Sequence, residues 1–231
     1  MHIAEGMLPL EYAAAYSAVA AAFVAKGIAD YQKRSQKMPQ TKQLTGVLTA
    51  AVFFISLLPL PVPITGTSSH PGGTPLAAII LGPWITILIS TVTLLLQALF
   101  FAHGGLTTLG ANVLTMGVFG GLVGWAIFKI AQKSGVNLFW SGLMAGMIGD
   151  ITIYLGTSLQ LALAIHGAHP VWEVFWAVLA AFLPTQAPLA VLEGLFTGYL
   201  LKYVAEVRPE LWQSIGLLPA VPADGEVIEH V

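Results

Sequence analysis

The chain opens Met1-His2, and these two residues can do chemistry as a pair. A free α-amino group, the amide nitrogen of His2 and its imidazole Nδ1 can all bind one metal ion. Amine and amide close a five-membered chelate ring, and amide and imidazole close a six-membered one. Three nitrogens are thereby preset in a plane, and one more ligand completes a square. Planar nitrogen donors suit Ni2+ or Cu2+ better than tetrahedral Zn2+ or the oxygen-preferring Mg2+ and Ca2+. Met-His alone is a weak signal, because most termini are frayed. It carries weight only where the terminus is buried beside a further ligand, so the question passes to the elements that would hold it there.

Those elements belong to a membrane protein. Hydrophobic residues make up 56% of the chain and charged residues only 9%, with a mean hydropathy of +0.81; soluble domains carry roughly 25% charged residues. The net charge of −2 gives no electrostatic footprint for nucleic acid. There is no cysteine, which removes disulfides, thiolate metal sites and cysteine nucleophiles together and leaves His and Met as the soft ligands. Glu5 and Glu11 stand where a signal peptide would be basic, so the mature chain is expected to begin at Met1.

In order, the apolar runs predict a first helix over about residues 10–31, with Ala14, Ala18 and Ala22, and Ala21 and Ala25, at four-residue spacing. Small residues so spaced let another helix approach closely in a bilayer, either inside the bundle or on a partner protein. A second span, about 44–58, stops at alternating prolines. The polar stretch that follows, within an inserted loop over 61–74, leads to a short apolar piece, 75–81, and Gly82-Pro83 then breaks it before a full span to about 102. Polar backbone at membrane depth is tolerated only inside protein or along a cavity, so the stretch 66–82 is expected to fold into the bundle. Further spans are predicted at about 114–132, 138–165 and 171–204, the last kinked at Pro184 and Pro188. A polar tail, 206–231, is expected to be loose.

Charge sets the orientation. If the short third segment counts as a crossing, all nine basic residues (Lys26, Lys33, Arg34, Lys37, Lys42, Lys129, Lys133, Lys202 and Arg208) fall on one side. By the positive-inside rule that side is cytoplasmic. The expectation is therefore an all-α polytopic membrane protein with seven transmembrane helices, its N-terminus outside and its C-terminus cytoplasmic. Met1-His2, His70, His103, His166 and His169 then share the outer face, free of positive side chains.

Several blocks in one order carry a resemblance. Met1-His-Ile-Ala-Glu-Gly6, Gly66-Thr-Ser-Ser-His-Pro-Gly-Gly-Thr74, the Leu81-Gly-Pro-Trp84 break and Ala102-His-Gly-Gly-Leu-Thr-Thr-Leu-Gly-Ala-Asn112 resemble the CbiM/NikM family. Gly149-Asp150, Thr157-Ser-Leu-Gln-Leu-Ala162, Thr185-Gln186 and Glu193-Gly194 do so too. The family supplies the substrate-capture components of energy-coupling-factor (ECF) cobalt and nickel importers, a class of ABC importer. The resemblance runs from Met1 to about Lys202 and implies seven spans, with the N-terminal segment, 1–9, tucked into the outer end of a membrane domain over 1–205. By position it implies as metal ligands the Met1 amine, the His2 amide and imidazole, and the His70 imidazole. Its implied partners are a transmembrane coupling subunit, a pair of ATP-binding subunits and a small membrane subunit. This chain ends without further apolar spans, so the small subunit is expected to be separate.

Other polar residues have dull and functional readings side by side. His70, in a loop of hydroxyls and glycines, is favoured as a ligand. A bound imidazole usually gives its second nitrogen to an oriented acceptor; Glu5, Ser68, Ser69, His103, Thr107 and Asn112 are candidates for that role or for holding the terminal segment. His166 and His169 read as surface residues. Asp150 falls near mid-membrane, where a carboxylate is expensive and usually functional; with Thr152, Thr157 and Gln160 nearby on the same helix, proton or ion relay and an interhelical hydrogen bond are both open, with Gln97, Gln186 and Glu193 as candidate partners. The reading is a non-enzymatic capture subunit in a prokaryotic cell membrane that binds Ni2+, or Co2+ as second choice, as transported substrate, with no cofactor. The chain lacks a Walker-type glycine loop, so energy must come from partner ATPases, through the Ala14/Ala18/Ala22/Ala25 face. The alternative is a stand-alone proton-coupled metal transporter or channel using Asp150. An intramembrane metalloenzyme is disfavoured by the lack of a His-Glu-x-x-His helix.

Overall fold

Apolar segments become helices here because a bilayer offers the backbone no hydrogen-bonding partner other than itself. The structure is a computed structural model and describes residues 2–57, 60–62, 67–215 and 217. Its elements are β1 (His2–Ile3), α1 (Leu10–Lys37), α2 (Gln40–Ser56), β2 (Leu60–Val62), β3 (Thr67–Ser69), α3 (Thr74–Leu81) and α4 (Pro83–Phe101). There follow α5 (Leu109–Asn112), a π-helical stretch (Val113–Gly120), α6 (Gly121–Lys133), α7 (Leu138–Ile165), α8 (Val171–Val207) and α9 (Pro209–Ser214). Met1 and nearly all of the tail beyond Ile215 lie outside the described residues.

The protein is a helical membrane protein. Five helical stretches are long and apolar enough to cross a bilayer: α1, α4, the continuous run Leu109–Lys133, α7 and α8. Helix α2 has 17 residues and α3 only eight, and every residue of α3 is buried. Gly82 ends α3 at φ +82°, a value that favours glycine, and Pro83 starts α4 at a position where its missing N–H costs nothing. The Arg34 guanidinium on α1 donates to the Leu81 carbonyl and so satisfies the end of α3.

Helices α7 and α8 form the most extensive pairing, and glycine makes it possible. A Cβ on Gly146 would lie 2.9 Å from the Glu193 carbonyl, and one on Gly198 would lie 2.6 Å from the Phe139 carbonyl. These two backbones meet over small residues, the close approach that drives helix association in lipid. The π-helical stretch lies against α3, α4 and α7, and its Met116 carbonyl accepts from Thr74 Oγ1 at 2.7 Å.

Several boundaries differ from the sequence-based expectation. Helix α1 runs on to Lys37, because a helix of Gln, Lys and Arg need not stop where the apolar run does. The fifth span begins at Leu109 rather than 114. The tail is not loose from 206: α8 extends to Val207, and α9 docks by Trp212, buried, whose Nε1 donates to the Leu201 carbonyl at 2.9 Å. Nor are the described residues wholly α-helical. A three-stranded antiparallel sheet in the order β1-β3-β2 pairs His2 with Ser68 and Ile3 with Thr67, and on the other edge Leu60 with Ser69 and Val62 with Thr67.

Candidate metal centre

The small sheet exists to fix an otherwise free chain end. Ile3 is fully buried, and its backbone is held from both sides. Its N–H donates to Asn112 Oδ1 at 2.8 Å, while its carbonyl accepts from Asn112 Nδ2 at 3.1 Å and from Thr108 Oγ1 at 2.7 Å. Glu5 accepts from the Thr107 N–H at 3.1 Å and from Thr107 Oγ1, which together hold its carboxyl below the usual carboxylate range. Gly105 lets this strand pass, since a Cβ there would lie 2.6 Å from Glu5 Cα. Residue 2 is therefore as firmly placed as a core residue.

What that placement achieves is a cluster of three imidazoles. The ring of His2 lies 4.2 Å from that of His70, nearly parallel, and 4.3 Å from that of His103, nearly perpendicular. The rings of His70 and His103 are 5.2 Å apart. One ligand nitrogen from each lies within 4.8 Å of the other two. Trans nitrogens on one first-row ion are separated by about 4 Å, so small ring rotations would bring these onto a common ion. His2 and His70 are buried, and among the described residues neither nitrogen of His2 has a hydrogen-bond partner. A buried polar atom without a partner in a native protein needs an explanation, and a ligand ion supplies one. His70 Nδ1 lies 2.9 Å from the Pro71 carbonyl, an acceptor that orients the ring.

Burial pushes the imidazoles of His2 and His70 well below their ordinary value of 6.5, and the neighbouring histidines push the same way. Burial brings His103 down to about 4, against a hydrogen bond from its ring to the Ser56 backbone. The cluster is thus neutral and ligand-ready near pH 7. The sign of the linked stability follows. The folded site binds fewer protons than the unfolded chain below 6.5, so its contribution is complete above 6.5 and is lost as pH falls from there towards the lower folded values. The melting temperature of the metal-free protein in detergent is expected to drop between pH 7.5 and 5. The drop should be smaller in a His2→Gln, His70→Gln variant. Identical slopes for the two proteins would show that these imidazoles are not held neutral by the fold.

The other expected residues divide cleanly. His103, expected as an accessory group, belongs to the cluster itself. Asn112 and Thr107 hold the N-terminal segment, as does Glu5. Ser69 is turned away to α8, with its Oγ 2.8 Å from Thr185 Oγ1. Ser68 pairs with His2 through backbone register. His166 and His169 lie apart on the α7–α8 connection, His166 Nδ1 facing the His169 carbonyl at 3.1 Å. Gln186 Nε2 donates to Asp150 Oδ2, so an interhelical bond of the expected kind is present. Of the other suggested partners, Gln97 on α4 lies elsewhere and donates to the Phe53 carbonyl and to Ser56 Oγ of α2, whereas Glu193 is paired with the Asp150 carboxyl and also accepts from the N–H groups of Gly72 and Gly73. Gln160, further along α7, donates to the Ala111 carbonyl. Thr108 and Thr185 were not singled out, and their only signal was a hydroxyl within the quoted blocks.

A polytopic helical protein that buries its own N-terminal strand against a histidine-bearing loop defines a narrow class. The chain matches, over residues 2–211, the family described as CbiM, cobalt uptake substrate-specific transmembrane region, and it belongs to that family. It is 46% identical over 220 residues to the cobalt transport protein CbiM of Geobacter sulfurreducens; the match covers 95% of this chain but 64% of that protein. With the protein of the same name from Sorangium cellulosum it shares 45% identity over 222 residues, covering 96% of this chain and 99% of the relative. A crystal structure of a truncated transition metal transporter superposes with a TM-score of 0.77 at 26% identity, covering 90% of this chain and 99% of that one.

Proposed function

We propose that this chain is the membrane-embedded capture subunit of an ECF-type importer for Co2+ or Ni2+. The cargo ion is bound by the Met1 amine, the His2 amide and imidazole and the His70 imidazole, with His103 alongside. The observation that carries this is the buried imidazole cluster, built from three segments far apart in sequence and held by a strand that otherwise has no reason to be inside the bundle. All donors are nitrogen, which suits both ions. Planarity favours Ni2+, whereas the relatives are named for cobalt, so both ions enter every titration.

Seven crossings with the N-terminus outside fit the same geometry. His70 and His103 lie side by side, so the arm from His70 to Leu81 and helix α4 join the same two ends of the bundle. The opposite end carries Arg34 at Leu81 and Lys26 over the Trp84 ring, 3.5 Å from its centroid. By the positive-inside rule that end is cytoplasmic. Helix α1 buries Ala13, Ala20 and Gly27 and leaves Ala14, Ala18, Ala22 and Ala25 exposed. That small-residue face is the docking surface for the coupling subunit, through which the ATP-binding subunits act; a small membrane subunit completes the importer.

The test is flux. Proteoliposomes holding this chain alone should bind Co2+ or Ni2+ but show only slow uptake under an imposed proton gradient. Sustained gradient-driven uptake by the chain alone would overturn the capture reading and establish a secondary transporter.

A further inference from the structure

The link that carries His70 is tied to a single helix on both sides. Before it, Ser69 Oγ lies 2.8 Å from Thr185 Oγ1 of α8. After it, the Gly72 N–H donates to Glu193 Oε2 at 2.5 Å and the Gly73 N–H to Glu193 Oε1 at 2.8 Å. Each carboxyl oxygen thus accepts from one of two consecutive backbone donors, and the same carboxyl also faces the Asp150 carboxyl of α7. Ser69 and Glu193 are buried, where such bonds are not traded for water. The carboxylate also stands at the start of α3, where the first N–H groups have no helical partner. Gly73 adopts φ +70°, and a Cβ at Gly72 would lie 2.6 Å from Ile153, so the pair of glycines lets the link turn its donors onto Glu193.

Thr185 and Glu193 are separated by about two helical turns. Between them stand Gln186, which donates to Asp150 of α7, and Pro188, which lacks an N–H for the residue 184 carbonyl. A proline inside a helix is a natural place for it to bend. Bending there would change the spacing of the two anchors on either side of His70.

We propose that Glu193 is the positioning residue for His70: with Thr185 it makes α8 the element that presents this ligand to the metal and, by bending at Pro188, withdraws it. This rests on the reading that His70 is a ligand. A buried carboxylate in the bilayer is expensive, and here its hydrogen bonds go to the link that bears a candidate ligand. That use accounts for its presence without a catalytic role.

The test compares Ni2+ and Co2+ binding by the full chain, the Glu193→Gln and Thr185→Val variants, and Gln132→Leu, which breaks a side-chain bond at the α6–α7 turn far from the link. Glutamine keeps the volume but sets an N–H against one glycine N–H, so one of the two bonds is lost. Metal should leave Glu193→Gln about tenfold to a hundredfold faster, with a changed absorption spectrum of the bound ion. Thr185→Val should shift both in the same direction but less, and Gln132→Leu should leave both as in the parent. If Glu193→Gln fails to fold, Thr185→Val decides. His70→Ala, run in parallel, separates the two claims. If it binds like the parent, the ligand reading fails. If it loses the metal while Glu193→Gln and Thr185→Val keep the parent's rate and spectrum, the ligand reading stands and the positioning role is overturned.

Discussion

Replacing His70 with alanine is expected to remove most Ni2+ and Co2+ binding while leaving the helices folded. The side chain sits in a link outside the helices, and its loss removes one imidazole from a cluster of three. Mutating a group that merely orients a metal ligand commonly weakens affinity about 10–100-fold, and losing a ligand itself should cost more than about a hundredfold. His103→Ala should fall between that and the parent. His166→Ala and His169→Ala should have little effect, since both lie apart from the cluster. Titration of the purified variants in detergent, with helicity checked by circular dichroism, reads all four. Parent-like affinity in His70→Ala would sink the proposed site.

How far the sequence reaches depends on what each residue answers to. Spans were legible because lipid imposes a single requirement on the backbone. The helix expected over 138–165 is α7 to the residue, and the Gly82-Pro83 break is where α3 gives way to α4. Helix ends governed by something else were missed. The end of α1 at Lys37 follows helix propensity in polar surroundings, and α9 is held by one tryptophan against Leu201. The sheet could not be read at all. Its strands are two or three residues long, too short for alternation to register, and His2 and Ile3 of β1 pair with Ser68 and Thr67, far along the chain.

The site shows the same division. His2 and His70 stood out because few residue types bind metal and the chain has no cysteine. His103 stayed ambiguous, since an imidazole at a helix end reads equally as a cap; only the fold brings its ring 4.3 Å from that of His2. Glu193 was legible as an intramembrane acid but not in its attachment. Its partners are the backbone N–H groups of Gly72 and Gly73, about 120 residues away, and a backbone donor leaves no mark in side-chain chemistry.

A blocked N-terminus is expected to bind metal as poorly as a chain lacking a ligand. The reason is that the proposed donor set includes the α-amino group of Met1, which acetylation, formylation or one preceding residue converts into an amide without a basic lone pair. Acetylation or formylation of Met1 removes the donor that closes the five-membered chelate ring and brings no new amine, whereas an added residue would carry its own α-amino group and rebuild a planar nitrogen chelate. The fold makes this a clean experiment. Ile3 is gripped by Asn112 and Thr108, and His2 is paired with Ser68, so neither change pulls His2 from the cluster. Every side-chain donor stays in place, and only the chelate is altered. Binding also releases protons from amine and amide, so parent affinity should rise with pH well above 6.5, where the buried imidazoles are already neutral. Titration with Ni2+ and Co2+ of the parent, the formylated chain and the acetylated chain should show tight, pH-dependent binding in the first alone. The blocked termini should keep only the weak binding of a histidine cluster, flat above about pH 7 because no amine proton remains to be displaced. Equal affinity in all three, with the same pH profile, would remove Met1 from the ligand set and leave a site of imidazoles at His2, His70 and His103.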